Sequence, residues 1–105
     1  MSSHYRRGAD FERAVCAYLA GKGALCIRSA GSHGIVDIIA LWPAGRAWLV
    51  QAKSNGRMDP AERRALAAAA HRYSSVPIKA SRPKRGVILC ERYYPTSGIF
   101  GEIEL

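Results

Sequence analysis

No stretch of the 105 residues stays apolar long enough to cross a bilayer. The longest run, residues 35–42, is broken by Asp37, and a span needs about 20 residues. Cysteine is scarce: Cys16, Cys26 and Cys90 are odd in number, with no CxxC pair. That excludes a disulfide scaffold and a structural zinc site, and predicts a reducing, cytoplasmic setting. No apolar segment follows Arg6 and Arg7 before Asp10 and Glu12, so a secretory leader is not expected. Low-complexity linkers and internal repeats are also missing. Residues 1–105 therefore read as a single domain, with 1–7 as a basic, polar N-terminal arm. Acid is in short supply: 8 Asp+Glu face 16 Lys+Arg, for a net charge of +8. The expected partner is a polyanion such as DNA, RNA or an anionic membrane. The alternative is a basic surface kept for solubility.

What is present is core material, since hydrophobic residues make up 49% of the chain. Phe11, Val15, Tyr18 and Leu19 lie on one helical stripe, which predicts a helix over 10–20 with Asp10 as its cap. Gly21 and Gly23 supply its stop. Strands are expected at 25–29, 35–42 and 46–53, the last two apolar on both faces as central strands are. A second helix starts at Asp59-Pro60-Ala61-Glu62, where Asp59 caps and Glu62 completes a capping box. Its Ala67–Ala70 run permits close approach of a sheet or a second subunit. Further strands are expected near 76–80, 86–91 and 99–104. The order predicts a mixed α/β domain with one sheet covered by helices.

Four polar residues fit a purely structural account poorly. Glu12 lies at the margin of the apolar helix stripe, where a solvated role is also open. Asp37 interrupts an apolar strand, which costs free energy unless it is paired, metal-bound or at the strand's open end. Gln51 and Lys53 end the third strand on one face, about 7 Å apart. Glu12, Asp37 and Gln51 are oxygen donors of the kind that hold Mg²⁺. Beside them Lys53 would offset charge on a phosphodiester undergoing hydrolysis.

Asp37, thirteen residues and then Gln51-Ala52-Lys53 resemble the bipartite motif of the PD-(D/E)XK nucleases. Arg6-Arg7-Gly8-Ala9, Glu12-Arg13, Arg28-Ser29-Ala30-Gly31-Ser32 and Val36-Asp37 resemble, more narrowly, archaeal-type Holliday junction resolvases. The resemblance is strong over residues 6–53 and elsewhere rests on element order. It implies a restriction-endonuclease-like core, with a mixed central sheet flanked by helices. It also implies a homodimer that makes paired cuts in a four-way junction or branched DNA, with Mg²⁺ as cofactor and Mn²⁺ able to substitute. Glu12, Asp37 and Gln51 would be metal ligands and Lys53 the catalytic cation. Ser32 would approach the scissile phosphate, although turn chemistry beside Gly31 and Gly34 accounts for it as well.

Arg6, Arg7, Arg13, Arg28, Ser32, His33, Lys84 and Arg85 are the DNA-binding candidates. The second basic run, residues 79–85, is either a phosphate contact or a solvated loop. Gln51 stands where the family usually has an acid, which predicts weaker Mg²⁺ binding. It also leaves two other readings open: an Mrr-like restriction or repair endonuclease, and a DNA-binding module that does not cleave.

Overall fold

The computed structural model describes residues 3–29, 34–103 and 105, and for residues 3–7 it describes the backbone alone. Helix α1 (Ser3–Gly21) leads into strands β1 (Leu25–Arg28), β2 (Ile38–Leu41) and β3 (Trp48–Ala52). Helix α2 (Pro60–Arg72) then crosses to β4 (Val76–Ser81), β5 (Leu89–Tyr94) and β6 (Ile99–Glu102). The six strands form one sheet in sequence order. Every neighbouring pair is antiparallel except β3 and β4, which run parallel because α2 carries the chain back between them. The mixed α/β architecture is the expected one.

Strand alternation places the two helices on opposite faces. Trp48 and Val50 point to the α1 side, where they pack with Phe11, Val15, Leu19, Ile38 and Ile78. Leu49 points the other way and packs with Met58, Leu66 and Ala70 under α2. Both faces of β3 are therefore apolar at its centre. The α1 helix ends in a Schellman motif: Ala24 N–H donates to Leu19 O at 3.1 Å and Gly23 N–H to Ala20 O at 3.0 Å. That closure needs the positive φ of Gly23, +108°. All three cysteines are free thiols.

The structure corrects three details. The helix begins at Ser3, so residues 3–7 continue it instead of forming an arm. Asp10 then lies inside the helix rather than capping it, and its Oδ1 accepts from Arg13 at 2.9 Å. Strand β5 starts at Leu89 and not near 86, because Gly86, at φ +79°, belongs to the preceding turn.

Candidate active site

One edge of the sheet gathers the chemistry. It is formed by the C-terminal ends of β1, β3 and β4 and the N-terminal end of β2, with the first turn of α2 beside them. Asp37 stands just before β2. Its N–H donates to Val50 O, and its Oδ2 accepts from Ala52 N–H at 2.8 Å. The strand-interrupting carboxylate thus sits at the open end, one of the arrangements that make it tolerable. Burial holds the Asp37 carboxyl above its ordinary range. The Ala52 N–H opposes this, Glu12 adds to it, Lys53 opposes it and Glu62 adds to it. Glu12, Lys53 and Glu62 are thereby near enough to act electrically on Asp37.

Glu12 comes from α1, and its Oε1 accepts from Arg28 Nη2 at 3.3 Å. Arg28 is thus engaged inside the site. Gln51 is buried, and its Oε1 has no hydrogen-bond partner. A buried carbonyl oxygen without a donor costs about 1–3 kcal/mol. It shares the α2-facing side of β3 with Lys53, by the alternation that turns Ala52 toward α1. Lys53 follows the strand and its N–H donates to Ala80 O, which ties the edge to β4. Its ammonium pairs with Glu62 Oε2 at 2.5 Å. A turn whose Gly56 has φ +76° then leads to α2.

Two further residues at this edge are not individually singled out by the sequence. Glu62 is legible there only as a cap residue; the structure uses one of its oxygens for the cap and turns the other to Lys53. Arg82 is one member of a basic run. Its guanidinium stacks 4.9 Å from the centroid of Phe11, the residue before Glu12. Its N–H donates to Ser54 O, which places it on the rim of the site.

The rest of that run divides. Lys84 and Arg85 are exposed in the turn after β4, at the site edge of the sheet. Lys79 is buried, donates to Gly56 O at 2.8 Å and faces Glu91 Oε1 at 3.5 Å, so it is a structural cation. Arg13 is exposed beside Asp10. Ser32 and His33, and the side chains of Arg6 and Arg7, lie outside the described residues.

A mixed sheet with a helix on each face, bearing an acid before one strand and a lysine after the next, defines the restriction-endonuclease-like class of nucleases. Residues 3–86 match the family model of the archaeal Holliday junction resolvase (Hjc). The chain belongs to that family, whose members are endonucleases acting on four-way DNA junctions. Among solved structures it is similar to Archaeoglobus fulgidus Hjc, a Holliday junction resolvase from an archaeal hyperthermophile. That likeness has a TM-score of 0.68 and 22% identity, and covers 80% of this chain and 70% of that chain. No curated protein matches the chain.

The family implies a divalent metal ion. Among the described residues, no three His, Cys, Asp or Glu side chains converge closely enough to hold one by themselves. The residues fit such an ion when the unpartnered Gln51 Oε1 is counted with Glu12 and Asp37, because all three offer the hard oxygens that Mg²⁺-type ions take. No described helix is long and apolar enough to cross a membrane.

Proposed function

We propose that this resolvase is a Mg²⁺-dependent homodimer working in the cytoplasm, each subunit cutting one of two opposed strands of a four-way junction. The observation that carries the site assignment is the buried, unpartnered Gln51 Oε1 on the strand end whose Ala52 N–H binds Asp37 and from which Lys53 follows. Glu12, Asp37 and Gln51 would hold the ion, with Mn²⁺ able to replace Mg²⁺. When bound, it supplies Lewis acidity to the phosphate and lowers the pKa of a neighbouring water. Lys53 offsets the charge that grows on the phosphate as water adds and the P–O bond breaks. Arg28 holds Glu12 in place. Arg6, Arg7, Arg13, Ser32, His33, Lys84, Arg85 and the rim residue Arg82 are proposed phosphate contacts, which read shape and not sequence.

Paired incision needs two sites, and one surface suits a second copy of the chain. Leu25 opposes Leu41 and Ile27 opposes Ile39 on β1 and β2. All four are exposed, from 36% to 64%, on the face that α2 leaves uncovered. The patch continues into an apolar groove lined by Val36, Ile39, Leu49, Ala69 and Tyr73. Contiguous aliphatic surface of this kind marks an interface. Because Asp37 precedes β2, a two-fold contact there would bring two sites alongside one another.

The test is incubation with a four-way junction and a matched linear duplex in Mg²⁺ or Mn²⁺, with mass measured in solution. The expected result is a dimer making paired symmetric nicks in the junction alone, and a Lys53→Ala variant that binds the junction but cuts about 10²–10³-fold more slowly. Equal cutting of the duplex supports the Mrr-like reading. Binding without cutting, unchanged by Lys53→Ala, supports a non-cleaving module. Ile39→Lys should yield a monomer; a wild-type monomer would sink the dimer.

A further inference from the structure

Strand β3 ends with a neutral Gln51 where a carboxylate would complement a divalent ion, so the site has one negative charge fewer than a three-acid set. Helix α2 offers such a charge close by. Glu62 is the third residue of α2, and its Oε1 accepts from the Asp59 N–H at 3.1 Å while Asp59 Oδ1 accepts from the Glu62 N–H at 2.8 Å. This reciprocal cap uses one carboxylate oxygen and locks the side chain. In an ordinary capping box the other oxygen faces water. Here Oε2 is turned to the Lys53 ammonium, on the same side of β3 as the buried Gln51 Oε1 that has no partner. Glu62 is only half-buried, at 28% side-chain exposure, and so remains accessible to a hydrated ion.

We propose that Glu62 serves the metal site as its third acid from outside the ligand set, supplying from helix α2 the negative charge that Gln51 does not supply from β3. This rests on the metal-site reading above. Glu62 is a positioning residue: it holds Lys53 at the strand end and adds anionic field over the Glu12–Asp37–Gln51 donors, without itself being placed among the ligands. A hydrated ion such as Mg²⁺, which keeps several waters, responds to a carboxylate at that remove.

The experiment measures Mn²⁺ binding to the metal-free protein by electron paramagnetic resonance, without DNA, alongside thermal melting. The variants are Glu62→Gln, Gln51→Glu, the double variant and Asp37→Asn. Glutamine at 62 keeps an oxygen for the Asp59 N–H, so the cap and the melting midpoint should hold. Glu62→Gln should weaken Mn²⁺ binding about tenfold, and Gln51→Glu in that background should restore it. If Glu62→Gln binds Mn²⁺ as the wild type does while Asp37→Asn abolishes binding, the third-acid role is wrong and the metal site stands. The third-acid role is equally wrong if Glu62→Gln weakens binding and Gln51→Glu does not restore it. If Asp37→Asn binds normally, the metal site itself is misplaced and the proposal goes with it.

Discussion

Gln51 and Lys79 are register partners on β3 and β4, and both are buried. Lys79 is matched on every side: Gly56 O accepts from it, Glu91 faces it, and its ammonium lies 4.0 Å from the centroid of the Phe100 ring. Gln51 keeps an oxygen with nothing to accept from. A few ångströms thus separate a buried polar group the fold satisfies from one it leaves open. The first rigidifies the sheet. The second carries a free-energy cost that a ligand would relieve, and such uncompensated costs concentrate where function is.

The largest effect should come from the open side. Asp37→Asn is expected to lower junction cleavage roughly a thousandfold, the several kcal/mol that metal-ion catalysis supplies. The same variant should melt at a higher temperature in metal-free buffer. The sign follows from Asp37 being raised by burial. The folded state holds its proton to higher pH than the unfolded state does. That stabilising contribution is full below the ordinary carboxyl range and is lost as pH climbs through the raised value. At neutral pH the carboxylate therefore costs stability, and asparagine, which still offers an oxygen to the Ala52 N–H, removes the cost. A lower melting temperature would contradict this.

The matched side should respond in the opposite way. Lys79→Met leaves Glu91 and Gly56 O without their cation and should cost about 1–3 kcal/mol in urea unfolding. Cleavage per folded molecule should stay within about twofold, since no catalytic group has changed. A collapse of cleavage in the fully folded variant would place Lys79 in the site and erase the contrast. The smallest effect is Asp59→Ala, which removes half of the capping box and should cost about 1 kcal/mol. The backbone N–H at position 59 that holds Glu62 Oε1 remains in this variant, so Mn²⁺ binding should stay close to that of the wild type.

Much of the fold is legible in the chain. The Phe11–Val15–Leu19 stripe, the Asp59–Glu62 box and the apolar runs around Ile38 and Val50 are local signals, and they place both helices and the central strands. The start of α1 is not legible, because residues 3–9 carry no apolar stripe and include Gly8, a poor helix former. The Asp37 and Gln51–Lys53 elements are visible as polar residues out of place.

The side chains that meet across elements are not legible. Glu12 with Arg28 and Lys53 with Glu62 meet only once a helix packs against the sheet, and Lys79 with Glu91 only once β4 pairs with β5. Residue order determined the elements, the excess of positive charge and the chemical kinds available at the site, because periodicity, capping and composition act over a few residues. Tertiary structure alone decided that Lys79 would be buried and matched, that Gln51 would be buried and unmatched, and that Glu62 would turn its second oxygen to the site. Those outcomes depend on strand register and on where α2 lands, both set by packing on two faces of one sheet.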